Sequence, residues 1–343
     1  MITLPYGIAD FRRIRRDGMV YLDRTSYLRE IERLGSTLVF LRPRRFGKSL
    51  WLQTLASYYD LRLEDDFDAL FGDLAVGHEP TPLRNRFFVL QWNFSLVDPS
   101  GGVEKVAASL EEHVRSQAAA FLSDYEGHLP SEIELDGSPA ALLTSLLSAV
   151  RKTPYKLYLL IDEYDNFVNE LMANDVGAYR AVVGADGPFK LLFKAVKSAT
   201  EGRGLERVFI TGVSPVALND LTSGFNIAQD VSLAPELASL CGFRESEIRD
   251  LLGRIAEEIG LSAQAVAGAL ETMRTWYNGY RFTTKALGTN ELVYNPTNAF
   301  YFLDHLHRQK TPLNSSTTRT CAPIVGSSRF WRAPLRARES SSS

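Results

Sequence analysis

The tripeptide Gly47-Lys48-Ser49 has the residue types of a phosphate-binding loop. It completes the pattern G-x-x-x-x-G-K-[ST] except at the first glycine position, where Arg42 stands. Gly47 lets the backbone approach a phosphate, and N–H groups at the start of the following helix would point at it. Lys48 would place its charge on the β- and γ-phosphates, and Ser49 would offer a hydroxyl ligand to Mg²⁺. This loop therefore predicts a site for ATP and Mg²⁺.

The neighbours of this tripeptide add three guanidinium groups and two apolar side chains to the loop. The arginines could assist phosphate binding, although a solvated basic loop is the alternative for at least one of them. The predicted nucleotide-binding segment consists of Arg42, Arg44, Arg45, Phe46, Gly47, Lys48, Ser49 and Leu50.

Two adjacent carboxylates, Asp162 and Glu163, follow an apolar run. If that run is a strand of a parallel sheet, both acids emerge at its carboxyl end, where ligands bind. Asp162 would hold Mg²⁺ through the water shell of the ion, and Glu163 would polarise the attacking water as general base. The structural alternative is a helix N-cap, a part that Asp165 could also play. Together the two motifs predict ATP hydrolysis, with Lys48 and Glu163 as catalytic residues.

Polar and basic residues also surround the next apolar run. Thr211 or Ser214 could face the γ-phosphate, and capping of the next turn is the alternative for both. We count Thr211 among the predicted nucleotide ligands. Arg203 and Arg207 could reach the nucleotide of a neighbouring subunit, although a surface charge is the favoured interpretation of both.

The elements that must position these residues are short strands separated by helical patterns, the first of which covers residues 24–34. Continuous apolar strands that alternate with helices predict a parallel sheet with helices on both faces. The strands are predicted at residues 37–41, 87–92, 156–161 and 206–211, and residues 226–233 could supply a fifth.

The pattern changes to helices alone from residue 235. We therefore expect an ATPase core at residues 1–234, a small helical lid subdomain at residues 235–308, and a disordered or truncated tail at residues 309–343. The aromatic cluster at residues 276–282 predicts packing of the lid on the sheet. Arg281 within it could instead reach the nucleotide.

The composition is that of an ordinary globular protein, with 45% hydrophobic and 23% charged residues among 343. A net charge of −3 argues against a strongly basic nucleic-acid-binding chain. The basic run Arg12, Arg13, Arg15 and Arg16 could still associate with DNA, although a solvated charged face is its commoner meaning. The two cysteines lack disulfide or metal spacing, and neither a signal peptide nor a membrane span is visible. We expect a cytoplasmic protein without a membrane segment.

These motifs together resemble the bacterial AAA-ATPase-like family, whose phosphate loop also begins with arginine. The resemblance spans residues 4–303 and rests on several separate motifs in the same order. They are Tyr6-Gly7, Phe11, Tyr21-Leu22-Asp23-Arg24-Thr25, the loop Arg42-Pro43-Arg44-Arg45-Phe46-Gly47-Lys48-Ser49-Leu50, Leu160-Ile161-Asp162-Glu163-Tyr164-Asp165, Phe209-Ile210-Thr211-Gly212-Val213-Ser214-Pro215, Trp276-Tyr277-Asn278-Gly279-Tyr280-Arg281-Phe282 and Val293-Tyr294-Asn295-Pro296.

The resemblance implies an α/β P-loop NTPase fold: a three-layer parallel sheet of the additional-strand (AAA-like) class, with ATP and Mg²⁺ as cofactors. Members often continue into a C-terminal nuclease-like domain with a PD-(D/E)xK core. This chain departs from that pattern near Leu303, so nuclease activity is not carried over to it.

Two other function classes stay open, together with a protein partner or a homo-oligomer. One is a nucleotide-dependent switch or binding module with little hydrolysis, and the other is a small-molecule phosphotransferase. Glu163 favours an ATPase that couples hydrolysis to lid movement, because a pure binding module needs no general base.

Overall fold

A five-stranded sheet forms the centre of the molecule. The computed structural model describes residues 1–130, 133, 135–184, 186–221, 225–283 and 292–310. The strands are β1 (Thr37–Leu41), β2 (Phe87–Asn93), β3 (Lys156–Asp162), β4 (Leu205–Gly212) and β5 (Gln229–Asp230). They lie in the order β2-β3-β4-β1-β5, and all neighbouring strands are parallel.

The strand order confirms the predicted fold class. It places β4 between β1, which leads into the phosphate loop, and β3, which ends at the acid pair. That inserted strand is the feature that distinguishes the additional-strand class of P-loop NTPases. Every residue of β1 is buried, as is every residue of β3 after Lys156. Burial on both faces explains why these strands are continuous apolar runs without polar alternation.

Helices cover both faces of the sheet. They are α1 (Phe11–Arg16), α2 (Tyr27–Leu34), α3 (Lys48–Tyr59), α4 (Phe67–Phe71), α5 (Ala75–His78), α6 (Val103–Asp124), α7 (Pro139–Val150), α8 (Asn166–Asn174), α9 (Val176–Val183), α10 (Pro188–Thr200), α11 (Val216–Leu221), α12 (Glu245–Ile259), α13 (Ala263–Tyr277) and α14 (Pro296–Gln309). The helix that follows the phosphate loop, α3, packs on β2, β3 and β4, and α1 packs on α3. A second group, α6, α7 and α10, packs on the same three strands and on itself.

The last three helices, α12 to α14, form a second hydrophobic cluster beside the sheet. Polar caps begin two of them. Oγ of Ser262 accepts from the N–H of Ala265 at 3.2 Å, and Oδ1 of Asn295 accepts from the N–H of Asn298 at 3.2 Å. These helices occupy residues for which the sequence predicts a helical subdomain, and the domain bounds stay a prediction.

One helix begins later than its sequence pattern predicts. The pattern covers residues 24–34, whereas α2 begins at Tyr27. Oδ1 of Asp23 accepts from both the N–H and the hydroxyl of Thr25 at 2.7 Å. This local turn holds the backbone out of the helical conformation.

The fifth strand is shorter than the predicted residues 226–233. Oδ1 of Asp230 accepts from the N–H of Ser232 at 2.8 Å, and the resulting turn ends the strand. Of the tail predicted at residues 309–343, only 309 and 310 lie within the described residues. Among the helices described, none is both long enough and apolar enough to cross a membrane.

Candidate nucleotide site

The carboxyl ends of β3 and β4 bring two predicted site residues together. Ile161 pairs with Ile210, so Asp162 and Thr211 follow in neighbouring strands. The Thr211 hydroxyl donates to Oδ1 of Asp162 at 2.5 Å, and both side chains are buried. Thr211 therefore orients the carboxylate.

The phosphate loop meets this edge of the sheet through Ser49. Its hydroxyl donates to Oδ2 of Asp162 at 2.6 Å, while the N–H of Glu163 donates to Oδ1 of Asp162 at 3.0 Å. Both oxygens of Asp162 are thus held by hydrogen bonds. The structure places Ser49 and Asp162, the two predicted Mg²⁺ ligands, in direct contact. Their hydroxyl and carboxylate oxygens are the hard donors that Mg²⁺ prefers.

Lys48 is a buried cation that pairs with no carboxylate in the part of the chain that the structure describes. Its ammonium group donates to the backbone carbonyls of Arg42 and Pro43 at 3.1 and 3.2 Å. It forms no ion pair with any described residue, and only 5% of the residue is exposed. Burial lowers the pKa of Lys48, against the opposing effect of the nearby Asp162 carboxylate. A desolvated ammonium of this kind is suited to an anionic ligand.

Strained backbone conformations occur on both sides of the site. Arg45 has φ 67° and Glu163 has φ 48°, in the left-handed region that residues with a side chain rarely adopt. Gly47, at the start of α3, lies in the same region with φ 89°. Strain of this kind is often found at ligand-binding sites, where the surrounding structure maintains it.

A cavity of about 270 Å³ is lined by all of these strained residues. The phosphate loop and Glu163 provide polar groups, whereas the N-terminal segment and the helical part provide mainly apolar ones. Side chains that define its character include Lys48, Ser49, Glu163, Arg24, Phe243 and Phe300. Polar groups on one side and apolar walls on the other suit a ligand with a charged end and an apolar end.

Some of the predicted ligands line this cavity and others do not. Arg45, Phe46, Gly47, Lys48, Ser49 and Leu50 line it, whereas Asp162 adjoins it through Ser49. The other three predicted ligands, Arg42, Arg44 and Thr211, do not line it. The Arg42 side chain is fully buried among backbone carbonyls, Arg44 is exposed outside the cavity lining, and the Thr211 hydroxyl is engaged by Asp162.

Asp165 has a role that the sequence did not reveal. Its carboxylate accepts from the N–H of Val213 at 3.1 Å and from the N–H of Ser214 at 2.7 Å, and the residue is buried. It makes no side-chain cap on α8. Asp165 thus holds the segment that follows β4. Oγ of Ser214 accepts from the N–H of Val216 at 3.2 Å, the turn-capping alternative for that residue.

Arg24 forms a second unexpected contact at the cavity. Its guanidinium donates to both carboxylate oxygens of Glu247 at 2.6 and 2.8 Å and to the carbonyl of Gly242 at 3.0 Å. Both side chains are nearly buried, at 9% and 12% exposed. The pair joins the N-terminal segment to α12. The sequence showed Arg24 only as part of a motif, with no sign of its partner.

The other arginines considered at the sequence level lie away from the cavity. Arg207 is buried and donates to the carbonyls of Gly35 and Glu32 at 3.0 and 3.1 Å, so neither a surface charge nor an arginine finger describes it. Arg203 and Arg281 are exposed, and neither lines the cavity.

The basic N-terminal run is largely neutralised by carboxylates. Arg13, Arg15 and Arg16 form ion pairs with Asp17, Asp73 and Asp66 respectively. A helix face whose cations are paired in this way offers little net charge to a DNA backbone.

Comparison with known proteins shows that this chain matches a family model. The model of the family described as "AAA-ATPase_like: Predicted AAA-ATPase" matches residues 5–222. An uncharacterized protein from the vnfD 5′ region of Azotobacter chroococcum mcd 1 is 29% identical over 294 residues. The match covers 85% of this chain and 50% of that protein, so the chain spans half the length of this relative.

Two solved structures from Aeropyrum pernix show similarity at low sequence identity. The ORC1 protein, solved in complex with DNA, is 12% identical with a TM-score of 0.40, and the match covers 88% of this chain and 65% of that one. The ORC2 protein, in its ADP form, is 11% identical with a TM-score of 0.42, over 90% of this chain and 71% of that one. At these TM-scores the two likenesses add nothing to the functional assignment.

Proposed function

This chain belongs to the predicted AAA-ATPase family, and from that premise we propose that it binds ATP with Mg²⁺ and hydrolyses it. The family supports a nucleotide-binding, ATPase-type function in general. The observation that carries the finer proposal is the buried Lys48, which has no carboxylate partner among the described residues and lies in the loop that also bonds Asp162.

Each residue of the loop and strand edge has a defined task in this proposal. Lys48 and the N–H groups at the start of α3 bind the phosphates. Ser49 and Asp162 hold Mg²⁺, whose charge would neutralise the phosphate oxygens. Thr211 keeps the Asp162 carboxylate oriented through its 2.5 Å hydrogen bond. Arg45 lies at the cavity and can add a second cation for the phosphates.

Glu163 is the proposed general base. It lines the cavity next to Asp162, and its Oε2 accepts from Nδ2 of Asn166 at 2.8 Å. That hydrogen bond limits the positions of the carboxylate. In the proposed reaction the carboxylate accepts a proton from the attacking water.

Lid movement is the proposed consequence of nucleotide binding. Residues 240–243, together with Pro296, Thr297 and Phe300, contribute to the cavity wall. We propose a core at residues 1–234 and a lid at residues 235–308, so a ligand in this cavity would contact both. Its binding energy can then shift the position of the lid.

The test is phosphate release and ATP binding by the wild type and by Glu163→Gln, with the exposed Glu201→Gln as a matched control. We expect Glu163→Gln to slow phosphate release about 100-fold or more while ATP affinity stays within about threefold. Glu201→Gln should resemble the wild type. Equal rates for wild type and Glu163→Gln would overturn the role of Glu163.

A nucleotide-dependent switch is the second candidate. The hydrogen bond from Asn166 favours it, because one oxygen of Glu163 is already occupied. In that case the wild type would bind ATP as tightly as Glu163→Gln does and release no more phosphate than the variant.

A further inference from the structure

Arg42, which stands where most phosphate loops have glycine, sends its guanidinium into the protein. The residue is fully buried. Nη1 donates to the carbonyls of Leu41 and Ser232 at 2.8 and 2.6 Å, and Nη2 donates to the carbonyl of Leu237 at 3.0 Å. One side chain thus joins the end of β1 to the chain that follows β5.

Two aromatic rings contact the same guanidinium. Its central carbon lies 4.1 Å from the ring centroid of Phe40 in β1 and 4.1 Å from that of Phe282, which follows α13. Burial lowers the pKa of Arg42 to about 9, so the group remains charged at neutral pH. No described carboxylate forms an ion pair with it. Ring faces and carbonyl dipoles are therefore what stabilise this cation.

A second loop residue, Phe46, contacts the same aromatic segment. The ring of Phe46 lies 4.7 Å from that of Tyr280 and 5.2 Å from that of Phe282. In addition, the hydroxyl of Thr297 in α14 donates to the carbonyl of Arg45 at 3.2 Å. The phosphate loop is thus attached to the helical part at its beginning, through Arg42, and in its middle, through Arg45 and Phe46.

The backbone of Arg42 also determines where the ammonium of Lys48 rests. That ammonium donates to the Arg42 carbonyl, and its other acceptor is the neighbouring Pro43 carbonyl. A displacement of Arg42 would therefore displace the proposed phosphate-binding cation.

We propose that Arg42 and Phe282 form a clasp that positions the phosphate loop and couples it to the helical lid. Arg42 is accordingly a positioning residue for nucleotide binding. The coupling to nucleotide rests on the proposed function, whereas the clasp itself does not. Glycine at position 42 would leave three carbonyls without this donor and Phe282 without its cation. Lysine would keep the charge but has no planar group to place between two rings.

The experiment measures amide hydrogen exchange of residues 44–50 without nucleotide, together with ADP affinity. The variants are Arg42→Lys and Phe282→Leu. Phe302→Leu is the matched control, because Phe302 is buried in the lid cluster, where its ring contacts that of Tyr277. Phe282→Tyr is the conservative variant that keeps a ring face.

We expect Arg42→Lys and Phe282→Leu to raise loop exchange and weaken ADP binding, each about tenfold. Phe302→Leu should raise exchange only in the lid helices, and Phe282→Tyr should keep both values near those of the wild type. If Arg42→Lys does not fold, the comparison of Phe282→Leu with the wild type is sufficient for the test. Loop exchange in Phe282→Leu that equals that of Phe302→Leu would overturn the clasp. A wild type that does not bind ADP would instead contradict the proposed function, and loop exchange would still decide the clasp.

Discussion

Two cations, Lys48 and Arg24, line the same cavity and differ in what neutralises them. Arg24 bonds both oxygens of Glu247, so its charge is satisfied within the protein. Lys48 bonds only two carbonyls and has no ion pair among the described residues. Both residues are buried: 8% of Arg24 and 5% of Lys48 is exposed. A cation at a cavity is therefore not in itself a sign of a ligand site. What matters is whether a carboxylate of the protein already neutralises its charge.

This comparison predicts opposite consequences for the two substitutions. Loss of Arg24 should mainly affect folding, because it removes the more buried of the two arginines that pair with the Glu247 carboxylate. Loss of Lys48 should mainly affect ligand binding. The predictions that follow test each side of this contrast, beginning with the largest effect.

Arg24→Met should lower the free energy of unfolding by about 3 kcal/mol, at the lower end for a broken buried pair, because the nearly buried Glu247 keeps only its contacts with Arg244. Chemical unfolding measures it. The double variant Arg24→Met/Glu247→Leu should recover most of the loss. Arg249→Met removes an exposed ion pair with Glu245 and should change stability by about 1 kcal/mol or less. Equal losses in Arg24→Met and Arg249→Met would contradict the contrast.

Asp165→Ala should lower the free energy of unfolding by about 1.5–3 kcal/mol. Its carboxylate accepts from the backbone N–H groups of Val213 and Ser214, which are partly buried and would lose this acceptor. The control is Asp10→Ala, which removes an exposed cap on the N–H of Arg13. That control should lose about 0.5–1 kcal/mol. If the two losses are the same, Asp165 does not hold the segment after β4 in the way described.

Gly47→Ala should lower stability by about 1–2 kcal/mol because of its left-handed backbone. Nothing lies within 4 Å of a methyl group added there, so steric crowding does not contribute. Gly268→Ala is the matched control, since its added methyl group is equally free but lies inside α13. It should raise stability by about 0.5–1 kcal/mol. Thermal unfolding distinguishes the two, and a stabilising Gly47→Ala would contradict the observed conformation.

Acid should weaken the Arg24–Glu247 pair, with the smallest effect of this series. Burial alone would raise the pKa of Glu247, but the hydrogen bonds and charge of Arg24, together with the hydrogen bonds from Arg244, outweigh it and leave the pKa below the usual 4.5. The pair therefore adds stability above pH 4.5 that is lost as the pH falls through the lowered pKa. Unfolding free energies measured from pH 6 to about pH 3 should fall less steeply in Arg24→Met/Glu247→Leu than in the wild type. Parallel curves would show that the pair contributes nothing to acid sensitivity.

Much of the architecture could be predicted from the sequence because its strands are buried on both faces. Residues 37–41 were predicted with the observed bounds, and the resemblance to the AAA-ATPase-like family implied the inserted strand. The contact of Ser49 with Asp162 could also be predicted, because the two motifs must meet where parallel strands end.

The direction of individual side chains could not be predicted in the same way. The position of Arg42 in the loop motif indicated phosphate binding, but its guanidinium is held by Ser232, Leu237 and Phe282, which are distant in sequence. Thr211 is similar, because its partner Asp162 is reached only through strand pairing. Such contacts depend on tertiary packing, which local patterns do not record.

The most direct test of the central claim is equilibrium binding of ATP in the presence of Mg²⁺ by the wild type and by Lys48→Ala. The exposed Lys156→Ala, at the start of β3, is the control for loss of a lysine charge. We predict that Lys48→Ala remains folded but loses affinity about 100-fold or more, while Lys156→Ala binds like the wild type. Equal affinities for wild type and Lys48→Ala, or no ATP binding by the folded wild type, would contradict the account.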